Sequence, residues 1–253
     1  NLLAGTSQAS TLNTIDLSTS VPINASLITS LDGSISDITI ARDSSGINTD
    51  SDYTSTVSGS ITSATDLTKL NSLVVETSGV VTATLSGSTS YVDGLVSDSN
   101  DSLSITLSAG SATASQLNSI DGKTANIVGA QAITDISGSL ADVHTARTST
   151  GITTDTDYKA SISNTLSNGD ITNLNALATE TSGTVTATLS GVNSTQADSL
   201  STASTDAITI NLSGGSSTAA LLNSLDGKTS ASVNASAISS ITGNLGEVSS
   251  ATS

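Results

Sequence analysis

Leu117-Asn118-Ser119-Ile120-Asp121-Gly122-Lys123-Thr124 returns 105 residues later as Leu222-Asn223-Ser224-Leu225-Asp226-Gly227-Lys228-Thr229. The same shift carries Leu12-Asn13-Thr14-Ile15-Asp16 onto Leu117 to Asp121, and Gly46-Ile47 with Asp50, Asp52 and Tyr53 onto Gly151-Ile152 with Asp155, Asp157 and Tyr158. The chain therefore divides into repeats 1–105, 106–210 and a partial 211–253. A fixed long period points to a repetitive architecture in which each unit buries its apolar face on its neighbours. It also weighs against a catalytic centre, because most positions occur two or three times.

Each repeat has a finer grain. Ala9, Leu12 and Ile15 recur as Ala114, Leu117, Ile120 and as Ala219, Leu222, Leu225. The i, i+3, i+6 spacing is one stripe of a short helix. Ile35, Ile38 and Ala41 recur as Leu140, Val143, Ala146 and as Leu245, Val248, Ala251, after glycines at 33, 138 and 243. A third stripe, Leu67, Leu70 and Leu73 with Asp66 expected as its N-cap, recurs as Ile171, Leu174 and Leu177 after Asp170, one residue having been deleted. A fourth, weaker unit centres on Leu95 and Leu200. Between the stripes, Val81-Thr82-Ala83-Thr84-Leu85, its copy at 185–189, Leu103–Leu107 and Ile208–Leu212 alternate apolar with Ser, Thr or Asn. Period two with β-branched residues predicts strands with the apolar set inward.

These units predict a repeat solenoid. The expected form is a parallel β-solenoid of about ten coils, each of about 22–26 residues, with short helices or helical turns between strands. It forms one continuous domain over 1–253, with extra loops at 42–53 and 147–158. Neither end reads as a polar cap: Leu2-Leu3 opens within a coil and Ser253 closes in one like those before it. The expectation is a segment of a longer array, or ends that stack on other copies.

Composition narrows the function classes. With no Cys, Met, Trp or Phe and only three Tyr, the core must come from Leu, Ile, Val and Ala. The hydrophobic share of 35% against 11% charged residues, with the apolar positions in register, argues against disorder. The net charge of −16 disfavours nucleic acid and anionic membrane surfaces, and favours solubility and cation binding. No apolar run approaches the ~18 residues of a membrane span. The absence of Cys means that no disulfides hold the fold, and one His with no Cys weighs against a zinc site.

Few residues suit chemistry. His144 is the only histidine and stands where Thr39 and Ser249 stand in the other repeats, so it reads as a surface residue, and no catalytic residue is assigned. Asp50, Asp52, Asp155 and Asp157, on alternate positions of the two loops, form the candidate metal site: carboxylates with loop carbonyls suit calcium. The competing reading is an Asp-rich turn in which each carboxylate accepts its own backbone amides. Asn13, Asn71, Asn118, Asn175 and Asn223 each follow a Leu and predict a ladder that bonds neighbouring turns. Asp16, Asp121 and Asp226 are expected to end helices before glycine. Arg42 and Arg147 are expected to contact loop aspartates, and Tyr53 and Tyr158 to lid the loops with wet hydroxyls. The outward pairs Thr82/Thr84 and Thr186/Thr188 open an ice-binding or O-glycosylated face.

Val-Thr-Ala-Thr-Leu-Ser-Gly at 81–87 and again at 185–191, Leu-Asn-Ser-Leu-Asp-Gly at 222–227 and Ile-Thr-Gly-Asn-Leu-Gly-Glu-Val at 241–248 resemble the giant repetitive cell-surface proteins of marine cyanobacteria and related bacterial surface and adhesin repeat proteins. The resemblance extends over nearly the whole chain and implies an extracellular or cell-surface location and a role in a surface layer, fibre or adhesin. It brings no catalytic residues. The Asp-rich insert departs from the family pattern. The expected function is that of a non-catalytic extracellular structural repeat, self-associating end to end or laterally, with glycans or the cell surface as further partners and Ca²⁺ as the one cofactor to consider. The alternative is an adhesin or ice-binding module using the Ser/Thr-rich face.

Overall fold

A computed structural model of the chain describes residues 1–251; Ser253, where the last unit was read to close, lies outside them. The expected β-solenoid of about ten coils is not the fold. The chain forms an α/β structure with open, predominantly parallel sheets of seven and six strands, two further strand pairs and, among the described residues, ten α-helices. The physical reason lies in the apolar stripes. They form helices of up to 13 residues, and helices such as Ile35–Asp43 and Leu140–Thr148 pack a buried face on the strand before them. Parallel strands joined through helices are the α/β arrangement, and nothing closes either sheet on itself.

Two compact units make up the described chain. The first holds Asn1–Ala109 with Gln116–Ala132 and Thr150–Thr153. Its seven-stranded sheet runs, in spatial order, Gly5–Gln8, Ile28–Ser34, Ser55–Ile61, Val81–Gly87, Ser102–Leu107, Val128–Ala130 and Ile152–Thr154. The second holds Gly110–Ser115, Ile133–Ser149 and the chain from Thr154 onward. Its six-stranded sheet runs Val233–Asn234, Ala207–Leu212, Val185–Val192, Lys159–Leu166, Ile133–Gly138 and Gly110–Thr113. Register follows the small period: Ser7 pairs with Leu31, Leu85 with Ile105, Ile136 with Ala160 and Leu189 with Ile210.

Alternation holds in the strands. Val81, Ala83 and Leu85 are buried and Thr82 and Thr84 exposed, and Leu103, Ile105 and Leu107 are buried between exposed Ser104 and Thr106. The stripes hold in the helices. Leu67, Leu70 and Leu73 lie under Ala64–Glu76, and Leu140, Val143 and Ala146 under Leu140–Thr148. In the first stripe Ile15 stays 39% exposed, and in the last Leu245 is 87% exposed.

Three helix starts follow one recipe. In Ser34, Ser63 and Ser139 the hydroxyl accepts from the backbone N–H of Asp37, Asp66 and Asp142 and donates to the same aspartate's carboxylate at 2.7 Å. The cap before Leu67 is thus Ser63, and Asp66, expected in that role, sits three residues in, where its charge meets the helix N-terminus. Gly33 and Gly138 turn the strand into the capped helix at φ near +150°, and a Cβ there would press on Ala9 or Ala114 at 3.4 or 3.3 Å.

The loops at 42–53 and 147–158 are not wholly irregular. Each contains a strand: Ile47–Thr49 pairs in parallel with Ile23–Ala25, and Ile152–Thr154 takes the last place in the seven-stranded sheet. Their apolar Ile47 and Ile152 are buried, so part of what read as insertion is core.

Candidate functional site

Side-chain polar contacts recur with the 105-residue shift, and they gather where successive helices end. Helix Ile35–Asp43 carries Arg42 in its last turn, and helix Ala64–Glu76 finishes on Glu76. The Nε of Arg42 donates to Oε2 of Glu76 at 2.6 Å, and Nη2 donates to the same oxygen. Arg42 is only 5% exposed while Glu76 is 41% exposed, so the guanidinium is held inside and its partner faces water. The third nitrogen, Nη1, is buried without a partner, as is the hydroxyl of Tyr53. Burial first, and the Glu76 carboxylate second, push the Tyr53 phenol up to about 12, against the opposing pull of Arg42.

The copy repeats this with small changes. Arg147 Nη1 donates to Glu180, and the Tyr158 hydroxyl donates to Glu180 Oε1 at 3.4 Å. His144 Nδ1 lies 3.2 Å from Arg147 Nη2, which ties the only histidine into the ion pair. The Tyr158 phenol is pushed up by burial and by Glu180. Both arginines were expected to meet loop aspartates and both tyrosine hydroxyls to be wet; the carboxylate partners come instead from the next helix, and both rings are 1% exposed.

A second recurring pair joins Lys123 to Asp93 at 3.2 Å and Lys228 to Asp198 at 2.8 Å. Hydrogen bonds from Lys228 and then Ser224 hold the Asp198 carboxyl below the usual carboxylate range. Asp16 reaches across 28 residues to accept from the Ser44 hydroxyl at 2.7 Å, rather than simply ending its helix. Buried Asp101 and Asp206 accept the backbone N–H of Val81 and Val185 at 2.8 and 2.9 Å, so a carboxylate caps the start of each of these strands. The composition alone did not single out these two. Their 105-residue spacing was the available signal.

The asparagines act as ladder rungs. Asn13 donates to Asp37 O, Asn71 to Gly94 O, Asn175 to Ser199 O and Asn223 to Glu247 O. Asn71 and Asn175 also accept from Val96 and Ser201 N–H.

Asp50, Asp52, Asp155 and Asp157 are all exposed. Asp50 Oδ1 accepts from the Ser51 N–H at 2.8 Å and Asp155 Oδ1 from the Thr156 N–H at 2.7 Å, each a contact with the amide of the next residue. Among the described residues no group of three or more His, Cys, Asp or Glu side chains is arranged to hold a metal ion. None of the described helices is long and apolar enough to cross a membrane. Comparison with family models, curated proteins and solved structures found no match.

Proposed function

We propose that the chain is a non-catalytic structural repeat of an extracellular or cell-surface layer, fibre or filament, as its resemblance to bacterial surface repeat proteins suggests. The observation that carries this reading is the duplication of the ion pairs. Arg42–Glu76 and Arg147–Glu180, and Lys123–Asp93 and Lys228–Asp198, join segments about 30 residues apart in the same way. Charged side chains that recur as fasteners, the arginine pairs within a repeat and the lysine pairs across a repeat boundary, serve cohesion. A reaction centre would instead bring together groups that occur once. Parallel strands at the sheet edges, such as Gly5–Gln8 and Ile238–Thr242, offer a route to self-association by strand addition.

Electron microscopy of the purified protein, with and without millimolar calcium, tests the reading. Filaments or ordered sheets are expected; monodisperse particles at every concentration, in both conditions, would sink it. A second reading, an adhesin or ice-binding face, is favoured by the outward hydroxyl rows in which Thr56 pairs with Thr82, Thr82 with Ser102, and Thr84 with Ser104. Glycan-array binding or thermal hysteresis, lost when Thr82 and Thr84 become Val, would select it.

A further inference from the structure

The repeat provides its own control for the exposed apolar residues. Leu17, Ile40, Val75 and Val96 are 89, 57, 72 and 59% exposed. Their counterparts one repeat on are Gly122, Thr145, Thr179 and Ser201. The backbone pattern is the same, so folding does not demand apolar side chains at these positions.

The four residues line two grooves on the first unit. One, of about 380 Å³, has Leu17 and Ile40 as its apolar wall and Asp16 and Asp43 as its charged residues. The other, of about 430 Å³, has Val75 and Val96 as its apolar wall beside Arg42 and Glu76. Helix Ile35–Asp43 is shared, giving Ile40 and Asp43 to the first groove and Arg42 to the second. In the first groove no base offsets the two carboxylates. In the second the one cation, Arg42, is already paired with Glu76. Asp43, like the apolar residues, is absent from the copy, where Thr148 stands. The apolar wall and one of the two carboxylates, Asp43, are therefore lost together in the other repeat, where Asp16 alone keeps a counterpart in Asp121.

We infer that this face docks a basic amphipathic polypeptide segment of another protein, its apolar side chains seated against Leu17 and Ile40 and against Val75 and Val96, and its Lys or Arg residues over Asp16 and Asp43. Charge selects this occupant. A second copy docked on this face would bring its own Asp16 and Asp43 against the same two carboxylates, and an anionic lipid surface would be repelled. Isolated exposed apolar residues are ordinary, but two grooves walled by them that share one helix, the first with two carboxylates that no base offsets, are the kind of surface that marks an interaction site.

The test is fluorescence anisotropy on the full chain with a labelled helical peptide carrying Leu on one face and Lys on the other. Glu-for-Lys peptide and phosphatidylcholine vesicles serve as further probes. The substitutions are those of the repeat itself, Ile40→Thr with Val75→Thr, checked for folding by circular dichroism. The expected result is a loss of affinity of roughly tenfold or more in the double variant and no binding of the Glu peptide. In the opposite direction, Gly122→Leu, Thr145→Ile and Thr148→Asp together are expected to add a second binding equivalent. Equal binding by wild type and double variant would show attraction to acidic surface in general and overturn the proposal. So would binding to the vesicles that the double variant loses, or sedimentation showing that wild type self-associates through these residues.

Discussion

Arg42 and Glu76 stand 34 residues apart in the chain, yet the Arg42 Nε–H donates to Glu76 Oε2 at 2.6 Å, with the guanidinium buried and the carboxylate at the surface. The arrangement makes Arg42 dependent on one wet partner. Glu76→Gln is expected to cost about 2 kcal/mol, below the 3–5 kcal/mol typical of a fully buried broken pair because Glu76 is partly solvated. Arg42→Met combined with Glu76→Leu is expected to restore most of that. Urea unfolding of the two variants and the wild type checks it; equal stability of Glu76→Gln and wild type would mean that Arg42 finds another partner.

Glycines at two equivalent kinds of junction should respond differently to rescue. A Cβ on Gly46 would meet the carboxylate of Asp16, and one on Gly79 would meet the backbone carbonyl of Tyr53. Both Gly46→Ala and Gly79→Ala are expected to destabilise by about 1–3 kcal/mol through overpacking. Only the first should be partly relieved by a second change, Asp16→Ala, since a side chain can be removed and a carbonyl cannot. Thermal melts of the two single variants and the Asp16→Ala double variant decide the point.

The asparagine rungs are not equal. Asn71 satisfies both ends of its amide, donating to Gly94 O at 2.8 Å and accepting from Val96 N–H at 3.0 Å, whereas Asn13 donates to Asp37 O but its Oδ1 is buried without a partner. Asn71→Ala is expected to cost about 2 kcal/mol and Asn13→Ala about 1 kcal/mol or less. Chemical denaturation ranks them, and a reversed order would contradict the bonding described.

Alkaline pH should unfold the chain through its tyrosines. The Tyr53 phenol is raised to about 12 and that of Tyr158 is raised in the same direction, so the folded state holds protons that the unfolded state releases near pH ~10. Their contribution to stability is complete below about pH 10 and is lost as pH rises through the folded values. Absorbance at the tyrosinate band should show both residues ionising together with unfolding. Tyr53→Phe with Tyr158→Phe is expected to flatten the alkaline loss, since Phe keeps the packing and removes the titration. Tyr91, the third tyrosine, is only partly buried, so reversible formation of more than one tyrosinate per fully folded chain would contradict the burial of Tyr53 and Tyr158.

The sequence by itself determined the 105-residue repeat, the inward set of each strand, and the helical stripes at Leu67, Leu70, Leu73 and their kin. These are short-range periodicities, and burial alone enforces them. It also made the asparagine rungs legible, because a polar residue recurring beside a buried Leu must bond backbone. Whether the strands close or stay open was not legible. Local alternation is the same in a coil and in an open parallel sheet, and only the packing of full helices on the strands chose between them. The partner of Arg42 was equally out of reach. The nearest acids in sequence, Asp43, Asp50 and Asp52, are exposed, while Glu76 arrives from the next helix at the height of Arg42. Sequence spacing ranks neighbours along the chain, and tertiary packing sets which charge faces which guanidinium.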